Sequence, residues 1–423
     1  MARRRVVVTG FGALSPVGGT AEETWHNLVA GVSGAQAFSY STDFSDYRFD
    51  STPYPTHIAA PVKGFEPTRY MDPKPARRMA RFSQLAVAAA TMAVKDADLT
   101  IDRENSERIG VVLSNSIGSV AVAERNYRSL VERGWQRMHP LFMAMVLPNM
   151  VSANVSIVLG ATGYNTTVVT ACAGGTTAIG EATEAIRRGA ADVILAGGAD
   201  APICEMTLAG MSLIGALSTR NDQPELASRP FDAERDGFVA AEGGVVLVLE
   251  ELEHARGRGA RAIAEVLGYG ATCDAYHVTG PDPSGEASAR AMRLALDDAG
   301  LPPEAIDHVN AHATSTLLGD KLETVAIKRT LGKHAYRIPI SANKSMTGHM
   351  FAASGALEAL ASVLTIDQGL IPPTINYEHP DPECDLDYVP NKARQQSVGF
   401  VLSNSFGFGG QNACLVIGRP PEG

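Results

Sequence analysis

The sequence lacks long apolar runs, and it has no excess of basic residues. No stretch contains the roughly 20 consecutive apolar residues that a membrane-spanning helix needs, so we predict no such helix. The apolar run behind the basic start covers only residues 6–8, which is too short for a signal peptide. The 36 Lys and Arg residues are outnumbered by 46 Asp and Glu, which gives a net charge of −10. That balance argues against nucleic-acid binding.

Paired cysteines are also missing. The five cysteines are odd in number and form no CxxC pair; they stand at positions 172, 204, 273, 384 and 414. We therefore predict free thiols in a reducing cytoplasm, with neither a disulfide framework nor a metal site. The 423 residues suggest two or three domains, or one large domain in two parts.

Glycine-rich turns after apolar strands, each followed by an alanine-rich helical stretch, recur along the chain. The predicted strands are Arg5–Thr9, Gly110–Ser114, Val168–Thr170, Asp192–Ala196, Gly243–Leu249, Ile263–Gly268, His308–Asn310, Ile338–Ser341 and Gly399–Ser403. The predicted helices are Ala80–Ala97, Thr177–Arg188, Ala287–Ala299, Lys321–Leu331 and Ala352–Gln368. This alternation predicts an α/β sheet covered on both faces.

A weak internal repeat accompanies this pattern. RRRVVVTGFGALSP near the start is similar to RAIAEVLGYGATCD at 261–274. VVLSNSIGS and DHVNAHATST hold the second places, and VVTACAGG and IPISANKSMTGH the third. The first copy would carry an insertion around 115–165. The charged, helix-like stretch 249–262 is the natural seam, so we predict halves of residues 1–252 and 253–423.

Cys172 follows the strand-like VVTA and precedes a helix rich in small residues. A thiol at a helix N-terminus has its pKa lowered by the helix dipole, and free backbone amides there can stabilise an oxyanion. We expect Gly174 and Gly175 to let a substrate carbonyl approach closely. The alternative is a buried structural cysteine, and the motif alone leaves the two about equal.

Two histidines, His312 and His349, stand at similar strand ends. Alone, each is more often a turn residue than a catalyst, but two of them together with a cysteine suit paired N–H donors for an enolate. Glu358 is the one charged residue between 352 and 366, so it needs a partner, either a cation or backbone amides, unless it faces solvent. Phe406 and Phe408 lie among glycines, which indicates a tight hairpin, backbone packed closely against a ligand or active centre, or both.

Taken together, RVVVTGFGALSPVG, STRNDQPELASRPFDAERDGFV, NAHATST, KSMTGH and NSFGFGG resemble the elongating β-ketoacyl-acyl carrier protein synthases of the thiolase superfamily, over nearly the whole chain. The resemblance implies a duplicated five-layered α-β-α-β-α sandwich. It also implies a Cys172, His312 and His349 triad. Lys344 and Glu358 match the family's lysine and buried glutamate, and Glu323 matches the acid usually paired with that lysine.

The resemblance further implies a decarboxylative condensation that extends an acyl chain on Cys172 by two carbons, with no metal or redox cofactor. The 4'-phosphopantetheine arm would belong to the acyl carrier protein. The amides of Cys172 and Phe408 would form the oxyanion hole, with Phe408 also a gate. Further residues match positions for the pantetheine arm (Thr314 and Thr316), the acyl pocket (Ile117 and Met211) and a basic docking face (Lys74, Arg77, Arg78 and Arg220).

The pathway stays open between fatty-acid and type II polyketide synthesis. AGGTT after the cysteine and Ala313 depart from common fatty-acid enzymes, and DPECDLDYVP is similar to polyketide ketosynthase subunits. The family implies a dimer, with itself or with a cysteine-less chain-length-factor paralogue, in which residues 115–150 reach the partner's pocket. A silent partner subunit is disfavoured by Cys172. A degradative thiolase is disfavoured because Cys414 lies beyond the C-terminal glycines, and a Cys-His-Asn synthase because KSMTGH supplies a second histidine.

Overall fold

The structure is a computed structural model that describes residues 3–38 and 50–421. The described strands are β1 Val6–Leu14, β2 Gln36–Ala37, β3 Ile58–Ala59, β4 Ile109–Ser114, β5 Asn165–Val168, β6 Val193–Asp200, β7 Gly243–Glu251, β8 Ala264–Cys273, β9 His308–Asn310, β10 Ile340–Ser341, β11 Leu370–Ile371, β12 Arg394–Gln395, β13 Phe400–Gly407 and β14 Gln411–Gly418. The described α-helices are α1 Ala21–Ala30, α2 Pro73–Ala76, α3 Arg81–Asp96, α4 Val120–Arg133, α5 Phe142–Val146, α6 Met150–Leu159, α7 Gly174–Arg187, α8 Glu205–Leu213, α9 Leu252–Gly257, α10 Glu286–Ala299, α11 Leu317–Leu331, α12 Lys344–Thr347 and α13 Ala352–Gln368.

The strand order shows the same unit twice. In the first half, strands lie in the order β1-β7-β6-β4-β5, and in the second half in the order β8-β14-β13-β9-β10. Each half therefore places its first strand beside its fifth, followed by the fourth, second and third. The two halves join where β1 and β8 pair antiparallel over two residue pairs, making one ten-stranded mixed sheet. The predicted repeat is confirmed strand by strand.

Helices cover both faces of each half. On the outside, α3 packs on β1 and β7, and α10 packs on β8 and β14. Between the halves, α7 and α13 pack against each other and contact strands of both halves. The largest buried apolar cluster contains residues from both central helices and from strands of each half. These five layers are the predicted sandwich, and the expectation is confirmed.

The central helix α13 is buried through fifteen of its residues because both its faces meet protein. Two glycines at the start of α7 allow this helix to pack closely against its neighbours. A Cβ on Gly175 would lie 2.4 Å from the carbonyl oxygen of Ala352, and one on Gly174 would lie 2.0 Å from Ser114 Oγ. The expectation that these glycines clear space for a substrate is wrong, since they serve the packing of α7 against α13 and β4.

Some predicted boundaries shift. The strand predicted at Val168–Thr170 is β5, which ends at Val168 because Thr170 already turns toward the cysteine. The stretch 249–262 is helical only over α9, since β7 continues to Glu251. The insertion 115–165 contains α4, α5 and α6, and within the described residues no helix is long and apolar enough to span a bilayer.

Candidate active site

Cys172 lies in a short 3-10 turn, Ala171–Ala173, between the end of β5 and the start of α7. Ala171 has φ +47°, in the left-handed region that non-glycine residues seldom adopt. This sharp turn leaves Cys172 partly exposed at the N-terminus of a buried helix. Although the residue as a whole is partly exposed, protein surrounds its thiol.

The hairpin between β13 and β14 packs against this turn. A Cβ on Gly407 would lie 2.8 Å from the Thr170 carbonyl oxygen and 3.1 Å from the Cys172 nitrogen, so only glycine fits there. The backbone amides of Phe408 and of Cys172 itself donate toward the Cys172 sulfur. The loop was expected to form a tight hairpin and to pack closely against the active centre. Both parts of this expectation are confirmed.

Burial dominates the acidity of the thiol. It raises the pKa of Cys172 to about 11, while the Lys344 charge and the two backbone amides offset only part of this effect. The expectation of a lowered pKa is therefore wrong, because desolvation of the thiolate outweighs the favourable helix terminus. Cys172 therefore rests as a thiol at neutral pH.

His312 follows β9 and is held by its own backbone. Glu323 of α11 accepts the backbone N–H of His312 at 2.8 Å and that of Ala313 at 2.7 Å. The ring nitrogen Nδ1 lies 3.3 Å from Lys344 Nζ. Because an ammonium group only donates, Nδ1 accepts and the proton resides on Nε2. Burial, followed by the nearby Lys344 charge, lowers the pKa of His312 well below its usual range, so the ring is neutral.

Lys344 forms a fully buried ion pair with Glu358, whose side chains are each 1 % exposed. This confirms that Glu358 has a cation as its partner. Burial raises the pKa of Glu358 to about 7, and Lys344 counters part of that rise. The expectation that Lys344 pairs with Glu323 is wrong, because both carboxylate oxygens of Glu323 are occupied by backbone amides and by Asn404 Nδ2 at 3.1 Å.

His349 lies between α12 and α13, with its backbone bridged to Ala240. Its Nδ1 is 3.1 Å from Ser354 Oγ, while Nε2 is buried without a hydrogen-bond partner among the described residues. Burial lowers the pKa of His349 well below its usual range, so this ring is also neutral. An unpaired nitrogen aimed into a buried site is ready to bind a substrate atom.

The aromatic rings of the site lie close to one another. The centroids of His312 and His349 are 5.6 Å apart at nearly perpendicular planes, and His312 lies 5.7 Å from Phe406. Phe406 is adjacent to Gly407, which contacts the cysteine turn. The charge of Lys344 acts on the Cys172 thiol and on both rings, so the strand ends of both halves bring the thiol, its two backbone amides and two neutral imidazoles into one region.

Residues 3–255 match the family described as "Beta-ketoacyl synthase, N-terminal domain", and residues 263–378 match its C-terminal domain. The chain belongs to the β-ketoacyl synthase family. It is 48% identical to 3-oxoacyl-[acyl-carrier-protein] synthase 2 of Staphylococcus aureus (strain COL) over 414 residues, covering 98% of both chains. The predicted acyltransferase class and the family resemblance are confirmed.

Solved structures of other ketosynthases share the whole fold. The ishigamide ketosynthase/chain length factor has a TM-score of 0.92 at 40% identity, covering 99% of this chain and 100% of its own. A type II polyketide ketosynthase in complex with its acyl carrier protein, bound to the hexaketide, has a TM-score of 0.87 at 34% identity with the same coverage. The rival thiolase and silent-subunit interpretations are not favoured.

The substrate-binding residues expected from the family lie in three places. Thr314 and Thr316 follow His312, and their hydroxyls are 3.1 Å apart. Met211 of α8 packs against an apolar cluster that includes Phe351, whose ring stacks on His349 at 5.1 Å. Ile117 lies in the loop directly after β4 and is partly exposed. Their roles stay predictions.

The basic residues expected at the docking face lie partly together. Lys74, Arg77 and Arg78, in and after α2, are all exposed and line a shallow cavity of about 900 Å³ with the segment 139–141. Arg220 is less exposed and lies 3.4 Å from the Glu234 carboxylate. A basic surface around α2 is therefore present, and its use for docking stays a prediction.

Sequence reasoning missed several residues of the ketosynthase site. Asp200 ends β6 fully buried and accepts the backbone N–H groups of Ser116 and, at 2.8 Å, Ala352. Burial raises the pKa of Asp200 to about 7. It ties the loop after β4 to the start of α13. An acid at the end of the apolar strand AGGAD was the available signal; Asn404 and Ser354 offered none, since small polar residues are common in such loops.

Proposed function

We propose that this chain extends acyl groups carried on acyl carrier protein by two carbons, through decarboxylative condensation, in fatty-acid biosynthesis. The observation that carries the proposal is that the charge of one buried lysine, Lys344, acts on Cys172 beside its two amide donors and on the neutral rings of His312 and His349. The carrier protein as substrate is supported by the name of the Staphylococcus aureus relative and by the carrier complex of the polyketide ketosynthase.

In the first step, Cys172 sulfur attacks the carbonyl carbon of the carrier-bound acyl thioester. The negative oxygen that develops is stabilised by the amides of Cys172 and Phe408, which already point toward the sulfur. The bond from the carbonyl carbon to the carrier thiol then breaks. The proton of Cys172 ends on that departing thiol, and the acyl group remains on Cys172.

In the second step, a malonyl group on the carrier loses carbon dioxide. The electron pair of the broken carbon–carbon bond forms an enolate, whose thioester oxygen would accept hydrogen bonds from His312 and His349. The enolate carbon attacks the acyl group on Cys172, the bond between the acyl carbon and the sulfur breaks, and the departing thiolate takes up a proton from solvent to return to the thiol. The reaction as proposed requires no metal or redox cofactor, since N–H donors supply the charge stabilisation and the pantetheine arm arrives with the carrier.

Neutral histidines support this role better than charged ones would. Lys344 lies beside His312 and carries the local positive charge, which disfavours protonation of both rings. A neutral donor can bind the enolate without first giving up a proton to the carboxylate of the malonyl group. Thr314 and Thr316, which follow His312 in the sequence, would hold the pantetheine arm.

We further propose a dimer formed across β5. This strand is at the end of the sheet order, with one edge unpaired by the described residues, and such edges are normally covered. Large apolar side chains nearby are exposed, among them Trp135 at 70 %, Ile157 at 71 % and Val169 at 51 %. Association with a second copy would bury them and bring residues 115–150 to the partner's acyl pocket. The free thiols support a cytoplasmic location.

The test incubates the purified chain with acyl carrier protein thioester and follows it by mass spectrometry, then adds malonyl carrier protein. We expect the chain alone to give an acyl adduct on Cys172 and a product longer by two carbons. Light scattering should show that the active chain is a dimer. Activity only after co-expression with a cysteine-less paralogue would move the proposal to polyketide synthesis. No adduct with either preparation, or an active monomer, would refute the corresponding proposal.

A further inference from the structure

The hydroxyl of Ser354, in the first turn of α13, touches the second histidine. Its Oγ lies 3.1 Å from His349 Nδ1 and accepts the backbone N–H of Met350 at 2.9 Å. Ser354 is 2 % exposed, so water does not supply its partners. The contact involves the side of the imidazole that faces away from the unpaired Nε2.

The hydrogen bonds available to this hydroxyl decide whether Ser354 Oγ or His349 Nδ1 is the donor in their contact. A serine hydroxyl has one proton to donate and two lone pairs that accept. One lone pair already receives the Met350 amide. Among the described residues, His349 Nδ1 is the acceptor found within hydrogen-bond distance of Oγ. Since a buried hydroxyl proton left unpaired is costly, the hydroxyl donates to Nδ1.

A nitrogen that accepts a hydrogen bond carries no proton in the neutral imidazole. With Nδ1 as acceptor, the single ring proton of His349 is on Nε2, the nitrogen that has no hydrogen-bond partner among the described residues. The same outcome holds for His312, whose Nδ1 accepts from Lys344 Nζ at 3.3 Å. Two imidazoles are thus set to present Nε2–H, one by a buried cation and the other by a neutral hydroxyl.

We propose that Ser354 is a positioning residue for the condensation: its hydroxyl holds His349 in the Nε2–H tautomer and so completes the pair of N–H donors for the enolate oxygen. The proposal rests on the donor role of the two histidines given above. Ser354 touches no substrate. Without it, His349 gains freedom to carry its proton on Nδ1, and Nε2 then repels the enolate.

The kinetic test compares Ser354→Ala with Ser362→Ala. Ser362 is equally buried in the same helix, but its hydroxyl donates to the backbone carbonyl of Glu358 at 2.7 Å. For Ser354→Ala we expect decarboxylation of malonyl carrier protein to slow about tenfold, the effect of one hydrogen bond, with acylation of Cys172 changed by less than about twofold. For Ser362→Ala we expect both rates to be close to those of the native chain.

A spectroscopic test needs no activity. In the native chain labelled with ¹⁵N-histidine, the His349 resonances, assigned by their loss in His349→Asn, should show a protonated Nε2 and an unprotonated Nδ1. A protonated Nδ1 in the native chain would overturn the proposal even if Ser354→Ala failed to fold. Equal decarboxylation by the two serine variants would also overturn it. Loss of carrier-dependent activity in the native chain, with the tautomer as expected, would refute the donor role instead.

Discussion

The two halves of the molecule present different side chains at the same corner, and we propose opposite chemistry for them. In each, the third strand of the sheet leads through a turn into a central helix: β5 leads to Cys172 and α7, and β10 leads to His349 and α13. Both turns contain a residue with positive φ, Ala171 at +47° and Phe351 at +52°. The backbone geometry is thus shared, while the residue it presents differs.

The surroundings of the two corners differ in charge. The corner of Cys172 offers backbone amides and close glycine contacts, which suit an oxyanion that forms and disappears. The corner of His349 adjoins the buried pair Lys344 and Glu358, which lies against His312. The two corners therefore share a backbone shape, and the one that carries His349 adds a buried ion pair to it.

Removing the thiol should have the largest effect, and it separates the proposed role of Cys172 from that of the two histidines. Cys172→Ala is expected to lower condensation by at least about a thousandfold, because the acyl group then has no acceptor, while the small replacement leaves the fold intact. Cys172→Gln should retain decarboxylation of malonyl carrier protein, since a neutral amide resembles the acylated cysteine. Product analysis and carbon dioxide release measure the two activities.

The control for this separation is the double variant His312→Ala with His349→Ala. It should lose carbon dioxide release while still becoming acylated at Cys172. Carbon dioxide release that vanished with the thiol but survived loss of both histidines would reverse the assignment of the corners, and condensation by purified Cys172→Ala would remove the nucleophile altogether.

Changing the buried pair tests the charged corner. Lys344→Met should destabilise the fold by about 3–5 kcal/mol, because Glu358 is left buried without its cation. Adding Glu358→Leu should restore most of that stability, since an apolar pair of similar volume needs no compensation. Activity should stay below about a hundredth of native in both variants, because His312 has lost the donor at Nδ1. Chemical denaturation and condensation assays report the two effects.

The prediction would be contradicted if the double variant recovered activity together with stability. The pair would then serve the fold alone, and the difference in charge between the corners would have no catalytic meaning. Glu253, an exposed acid paired with the exposed Arg256 at 2.9 Å, offers a comparison at the surface. Its replacement by Gln should change stability by about 1 kcal/mol or less and leave activity as it was.

The sheet could be predicted from the sequence because its central strands are largely apolar runs, several of which end at a glycine or a small polar residue, such as β4 at Ser114 and β13 at Gly407. β9 matches the predicted His308–Asn310, and α13 matches the predicted Ala352–Gln368. The predicted strand 168–170 overlaps β5 only at Val168, because β5 begins at Asn165 and because Val169 and Thr170 have strand-like side chains in a turn. Apolar pattern alone does not report where a backbone bends.

The site could be predicted as a set of residues but not as a set of contacts. Cys172, His312 and His349 stand in distinctive motifs, so the sequence indicated them. The partner of Glu358 depends on how α12 lies against α13, and the anchoring of Glu323 by amides depends on the turn after β9. The predicted acidity of Cys172 was wrong for the same reason, since the burial of its thiol depends on how the two halves assemble.

The acidity of the thiol gives a pH test. Because its pKa is raised to about 11, the thiolate fraction, and with it the alkylation rate at Cys172, should rise about tenfold per pH unit between pH 7 and pH 9.5. Mass spectrometry after iodoacetamide treatment follows Cys172 in a Cys273→Ser background, which removes the exposed cysteine. A rate that levelled off below pH 8 would mean that the helix N-terminus and Lys344 outweigh burial.

The smallest expected effect concerns the outer surface of the first half. Between β3 and α3 this half exposes Lys74, Arg77 and Arg78 on and beside α2. The segment that follows β8 in the second half, residues 274–286, contains no Lys or Arg but three acids. An acidic carrier protein should therefore dock on the first half. Charge at such a rim acts mainly on association, and it weakens as salt screens it.

Reversing all three charges to Glu should raise the apparent KM for carrier protein about tenfold, leave kcat within about twofold, and flatten the dependence of kcat/KM on salt. Arg103→Glu, an exposed charge in the same half, is the control for net charge. Arg220→Ala should have a smaller effect than the triple reversal, because Glu234 already offsets part of its charge. If KM and the salt response stayed native in the triple variant, carrier docking would not depend on α2, and the asymmetry of charge between the halves would be unrelated to substrate entry.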